Sequence, residues 1–196
     1  MSEKQTPSPT EIAVAMNGKS VVLVGLMGSG KTCIGKLLAH RLEMGFVDAD
    51  AEIEAAANRT VSEIFSEYGE QAFRDVERRV IARLLSGQPR VIATGGGAFM
   101  DADTRIISRK KSLSVWLKAD LEVLLQRVSR QNARPLLQGV DKRLKLENLM
   151  YQRYPTYAEA DLTVDSDEDS PEATLEKVYD AIYKFTVIRK SSAAAE

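Results

Sequence analysis

Residues 25 to 32 read Gly-Leu-Met-Gly-Ser-Gly-Lys-Thr and separate two segments of different periodicity. Before them, Ser20 to Val24 (Ser-Val-Val-Leu-Val) is a short β-branched run, the pattern of a strand buried on both faces. After them, Ile34, Leu37, Leu38 and Leu42 recur at helical spacing. Strand, glycine loop and helix follow in that order. Every fixed position of the pattern G-x-x-x-x-G-K-[ST] is met, and the flanking elements are those the motif requires. Glycines let successive backbone N–H groups turn inward around an anion, and the following helix adds the positive end of its dipole. The loop therefore predicts a nucleoside triphosphate site. Gly28, Ser29, Gly30, Lys31, Thr32 and Cys33 are its candidate contacts, with Lys31 on the β- and γ-phosphates and the Thr32 hydroxyl on Mg²⁺.

The same alternation continues along the chain. Phe46 and Val47 predict a second strand that carries Asp48 and Asp50 to its carboxyl end on one strand face, before an alanine-rich helix. Thr60 and Glu63 form a capping box ahead of a short helix stopped at Gly69. Phe73, Val76, Val80 and Leu84 then mark a longer helix ending near Gly87. Val91 to Ala93 predicts a third strand entering Gly95-Gly96-Gly97, Leu113 to Leu117 a fourth and Leu162 to Val164 a fifth. Asp120 is expected to cap a helix bearing Leu121, Leu124, Leu125 and Val128, and Ser170-Pro171 starts a last helix with Leu175, Val178, Ile182 and Phe185. Alternating strands and helices imply an α/β fold of three layers, a parallel sheet with helices on both faces and ligands at the strand carboxyl ends.

Residues 127 to 143 break this rhythm. They contain Pro135, Gly139 and the basic residues Arg127, Arg130, Arg134, Lys142 and Arg143, and read as a mobile basic flap. Residues 1 to 18 are polar, are broken by Pro7 and Pro9, and read as a flexible arm; residues 187 to 196 read as a flexible tail. That leaves one domain over residues 19 to 186.

With 27 basic and 28 acidic residues the net charge is -1, which offers no excess of positive charge for nucleic acid or an anionic membrane. No apolar run approaches the roughly 18 residues that span a bilayer, so neither signal peptide nor membrane span is expected. Cys33 is the sole cysteine, which excludes an intrachain disulfide and suits a reducing cytoplasm. It reads as a small buried filler. His40, the sole histidine, falls on the polar side of its helix, and Trp116 is expected to pack between sheet and helix.

Six segments in order resemble the shikimate kinase family across roughly residues 20 to 185. They are the Gly25 loop, Asp48-Ala49-Asp50, Gly69-Glu70-Gln71-Ala72-Phe73-Arg74, Gly95-Gly96-Gly97, Arg134-Pro135-Leu136-Leu137 and Arg153-Tyr154-Pro155-Thr156-Tyr157. The resemblance implies a P-loop kinase fold with a five-stranded parallel sheet and a mobile lid. It also implies a cytoplasmic monomer that phosphorylates the small molecule shikimate with ATP and Mg²⁺. On that likeness Asp48 holds the metal, Asp50 binds the ring hydroxyls, Arg74 and Arg153 clamp the carboxylate, and Gly96 offers its N–H. Arg134 then reaches the phosphates from the lid, and Arg127 and Pro171 flank adenine.

The chemistry asks for such groups independently. Phosphoryl transfer passes through a loose transition state, so the protein mainly positions reactants and neutralises charge. Lys31, Asp50 and Arg134 are the candidate catalytic residues, Asp50 as acceptor of the hydroxyl proton. Two aspartates before a helix also read as caps. Arg74, three and four residues from Glu77 and Glu70, reads by itself as a surface ion pair. Two rivals stay open. One is a gluconate kinase of the same fold, against which Arg74, the glycine triplet and Arg153 count; the other is a non-catalytic ATP- or shikimate-binding module, which would not need Lys31, Asp48 and Asp50.

Overall fold

The computed structural model describes residues 8–130, 141–167 and 170–188. Strands β1 (Ser20–Val24), β2 (Gly45–Asp48), β3 (Arg90–Ala93), β4 (Ser112–Lys118) and β5 (Leu162–Asp165) form one sheet in the order β2-β3-β1-β4-β5. All four neighbouring pairs are parallel, with Val22 opposite Ile92 on one side and Val21 opposite Leu113 on the other. After β1 the chain builds one half of the sheet and then crosses to the other. The crevice between the halves opens at the carboxyl end of β1, where parallel sheets bind ligands.

Alternate residues of β1 serve different layers, as a period of two dictates. Val22 and Val24 join a core with Ile92, Trp116, Ile53, Ile81 and Leu124. That side is covered by α3 (Ala49–Ala57), α4 (Val61–Ser86), α6 (Leu121–Arg130) and α7 (Lys142–Tyr157). Val21 and Leu23 join a second core with Leu38, Val115, Leu117, Val178 and Ile182. Helices α1 (Pro9–Met16), α2 (Lys31–Arg41) and α8 (Pro171–Tyr183) cover it. The remaining α-helix is α5 (Ala102–Lys111), preceded by a 3-10 turn at Ala98–Met100, and a π-helical turn, Lys184–Ile188, ends the described chain. The expected three-layer α/β fold with a five-stranded parallel sheet is the one observed.

Three local expectations are corrected. The arm expected over residues 1 to 18 is helical from Pro9: Ser8 and Glu11 make a capping box, and Ile12 and Met16 are buried in the second core. Apolar residues four apart stabilise a short helix only because a sheet face receives them. At both ends of the flap expected over 127 to 143 the chain is helical. Arg127 and Arg130 belong to α6; Lys142 and Arg143 open α7, whose N-cap Asp141 accepts from the backbone N–H of Arg143 and Leu144. Residues 131 to 140, with Arg134, lie outside the described residues. Asp50 is not on the β2 strand but in the first turn of α3, because Asp48 caps that helix by accepting from the Asp50 N–H at 3.1 Å.

The break expected at Gly69 is present inside α4. Its φ of 79° and ψ of 171° separate two helical segments. Only glycine takes such a conformation cheaply.

Candidate functional site

Gly25, Gly28 and Gly30 all have positive φ, at 146°, 84° and 91°. Crowding adds to this at Gly25, where a Cβ would stand 2.6 Å from the Ser29 hydroxyl and 2.7 Å from the Leu117 carbonyl. Gly30 caps α2 without a side chain, leaving that helix N-terminus open to an anion. Lys31 Nζ folds back over the loop and donates to the carbonyls of Gly25 and Leu26 at 2.8 Å each. Thr32 Oγ1 donates to Asp48 Oδ2 at 2.8 Å. Gly28 and the stretch from Gly30 to Ile34 open, with Arg127, Ser166 and Pro171, onto a cavity of about 710 Å³.

Arg127 closes one side of that cavity. It donates to Ser166 Oγ at 2.9 Å and to the Asp167 carbonyl, and Ser166 Oγ donates to the Ser29 carbonyl at 3.0 Å. Helix α6, the exit of β5 and the phosphate loop are thus tied together. The Asp167 carboxylate pairs with Lys177, at 2.8 Å, while its charge still acts on Arg127 against the effect of burial. Ser166 carries no sequence signal for this role; only the pairing of β5 with β4 brings it to the loop. Cys33 is exposed at the cavity edge, against the expectation of a buried filler. It lies in the first turn of α2, on the side turned away from the sheet residues that bury Ile34 and Leu38.

The glycine triplet after β3 faces the same crevice, and its missing side chains make room for four charged ones. A Cβ on Gly95 would lie 2.6 Å from both Asp50 Oδ1 and Glu77 Oε1. One on Gly96 would lie 3.2 Å from Arg153 Nη1, and one on Gly97 would overlap the Arg74 guanidinium. The same Gly96 position is 3.7 Å from the Gly25 carbonyl and 3.9 Å from the Met27 nitrogen, so triplet and phosphate loop adjoin. Helices α3, α4 and α7 each contribute to this cluster.

Arg74 is fixed as the spacing suggested, bonded to Glu77 Oε2 at 2.7 Å and Glu70 Oε1 at 3.1 Å. It also lies over the Phe73 ring, 5.2 Å from its centroid. Sequence reasoning treated Glu77 only as a partner of Arg74. The structure buries it to 2% exposure with Oε1 unpaired and turned toward Gly95. Burial pushes its carboxyl pKa up, against the pull of Arg74. Burial and then the Asp48 charge likewise raise the Asp50 pKa, while Lys31 and Arg74 oppose the shift. A carboxylate so placed is a stronger base than one in water.

Among the described residues no group of three or more His, Cys, Asp or Glu side chains could hold a metal ion. Mg²⁺ does not need one: it keeps several waters and takes one or two protein oxygens beside substrate phosphates. The adjoining Thr32 and Asp48 oxygens fit that donor set. No helix among the described residues is long and apolar enough to cross a membrane.

A sequence model described as shikimate kinase matches residues 27–183. The shikimate kinase of Paramagnetospirillum magneticum is 51% identical over 174 residues, covering 89% of each chain. That of Mesorhizobium japonicum is 44% identical over 200 residues, covering 100% of this chain and 98% of its own. Among solved structures, shikimate kinase from Acinetobacter baumannii in complex with shikimate superposes with a TM-score of 0.84 at 34% identity, covering 90% of this chain and 99% of the other. A gluconokinase from Sinorhizobium meliloti reaches 0.60 at 16% identity, covering 89% and 97%, and shares the fold.

Proposed function

The chain belongs to the shikimate kinase family, and from that premise we propose that it transfers the γ-phosphoryl group of ATP to the 3-hydroxyl of shikimate, giving shikimate 3-phosphate and ADP. The observation that carries this reading is the convergence of Asp50, Glu77, Arg74 and Arg153 on one glycine triplet that touches the phosphate loop. Two guanidiniums beside a pair of carboxylates suit an acceptor with both a carboxylate and hydroxyls.

In this reading the backbone of Gly28 to Lys31, with Cys33 at its rim, cradles the phosphates. Arg127 and Pro171 flank the base, and Arg134 acts from the segment that the resemblance assigns to the lid. Thr32 and Asp48 hold Mg²⁺, which when bound neutralises phosphate charge. Arg74 and Arg153 take the acceptor carboxylate, and Gly96 presents its N–H to the same molecule. Asp50 accepts the proton of the attacking hydroxyl. The new bond joins that oxygen to the γ-phosphorus as the bond to the β–γ bridging oxygen breaks, and Lys31 moves its charge from the two loop carbonyls toward the phosphoryl oxygens.

Donor and acceptor groups come from one chain, which supports a monomer, and the lone cysteine suits a reducing cytoplasm. The deciding experiment is ADP release measured with shikimate, with gluconate and with no acceptor. Turnover with shikimate alone is the expected result. Turnover with gluconate but not shikimate overturns the reading.

A further inference from the structure

Resting on the shikimate reading, we infer that Tyr157 is a positioning residue whose buried hydroxyl sets Gly96 beside Arg153, two arms of the site that takes the acceptor carboxylate. Tyr157 and Arg153 stand four residues apart on α7 and so project from one face of it. The Tyr157 side chain is completely buried, and its hydroxyl donates to the Gly96 carbonyl. The Arg153 guanidinium lies beside the same glycine, its Nη1 3.2 Å from where a Gly96 Cβ would stand, and its charge pulls the phenol pKa down against burial. The hydroxyl thus bonds to the glycine triplet at the residue that adjoins Arg153.

The bond has a mechanical consequence. Gly96 has no Cβ to restrict its dihedrals, so nothing intrinsic fixes the peptide plane that joins it to Gly97. A hydrogen bond to the Gly96 carbonyl sets that plane, and Arg74 packs where a Gly97 side chain would be. The Tyr157 ring is itself braced, edge-on to Trp116 of β4 at 6.0 Å between centroids and 6.2 Å from Tyr154. Pro155, between Arg153 and Tyr157, supplies no N–H to the helix ladder. The turn that carries both residues is therefore held more by these side-chain contacts than an ordinary helical turn. Burial raises the phenol pKa, so the hydroxyl stays a neutral donor.

Packing alone would be served equally by phenylalanine. The test is Tyr157→Phe, assayed with shikimate and with its carboxamide, in which the carboxylate charge is gone. We expect the shikimate KM to rise roughly tenfold to hundredfold, as for loss of a buried hydrogen bond that leaves its partner unpaired, with kcat and the ATP KM within about twofold. With the carboxamide the variant and the parent protein should differ by less than about threefold. Trp116→Phe, which removes packing but keeps the hydroxyl, should lower the melting temperature and leave the shikimate KM within about twofold.

An unchanged shikimate KM in Tyr157→Phe, an equal loss on both acceptors, or an equal KM rise in Trp116→Phe overturns the inference, as does a variant without a cooperative melt. Each of these leaves the kinase reading standing. A parent protein inactive on shikimate overturns both.

Discussion

The Thr32 hydroxyl donates to the Asp48 carboxylate across 2.8 Å, joining the first turn of α2 to the carboxyl end of β2. Asp48 has two duties, since its other oxygen caps α3 through the Asp50 N–H. Asparagine caps a helix about as well as aspartate but is a weaker cation ligand. Asp48→Asn should therefore keep the melting temperature within a few degrees and raise the Mg²⁺ concentration for half-maximal activity roughly tenfold to hundredfold. An unaltered Mg²⁺ titration removes Asp48 from the metal site.

Gly97 has φ of -95° and ψ of -16°, which alanine adopts freely, so only contact forbids a side chain there. The added methyl would land on the Arg74 guanidinium. Gly97→Ala should raise the shikimate KM by at least about tenfold, the effect of displacing one charge-assisted hydrogen bond, with the ATP KM unchanged. Steady-state kinetics in each substrate check this, and a parallel rise in both KM values argues against a site specific to the acceptor.

Asp50→Asn should retain ATP binding and lose about two to four orders of magnitude in kcat, the usual loss when a general base is removed. Stability should move the opposite way. The folded protein raises the Asp50 pKa above its ordinary 3.8, so it prefers the neutral acid. The contribution to folding is fully present below the unfolded pKa and is lost as pH rises through the folded one. At neutral pH the charged Asp50 thus costs stability, and asparagine should raise the melting temperature. In the parent enzyme kcat should fall as pH drops through the same raised value. A melting temperature lowered by the substitution contradicts this assignment.

Helix α1 is a short element with two buried anchors, Ile12 and Met16. Ile12→Ala should cost about 2 to 5 kcal/mol, the range for deleting a buried aliphatic side chain. Denaturant unfolding checks it. A midpoint identical to that of the parent chain means the helix does not dock in solution.

Much of the donor site was legible because its signal is local. The Gly25 to Thr32 loop, its preceding strand and its following helix are contiguous, and glycine, lysine and threonine at fixed offsets carry the chemistry themselves. The capping predictions at Thr60 with Glu63 and at Ser170 before Pro171 are met for the same reason. Helix α5 was less legible: it carries few apolar residues and Ile106 is half exposed, leaving only the cap at Asp101 to mark it. Helix α1 was hidden because Ile12 and Met16 become a core face only once a sheet lies beneath them.

The acceptor site divides the same way. Arg74 with Glu70 and Glu77 follows from helical spacing, but whether that trio is a surface ion pair or part of a pocket depends on what lies beyond it. By itself the sequence determined the phosphate loop, the alternation of strands and helices, and the residue types available for an acceptor. The tertiary structure decided the strand order β2-β3-β1, which inserts β3 between its two predecessors and sets Gly95 to Gly97 between Asp48 and the Gly25 loop. Strand order is a matter of long-range pairing, which no local periodicity encodes. Only that pairing brings Asp50, Arg74, Glu77 and Arg153, spread over a hundred residues of chain, around three glycines beside the phosphate loop.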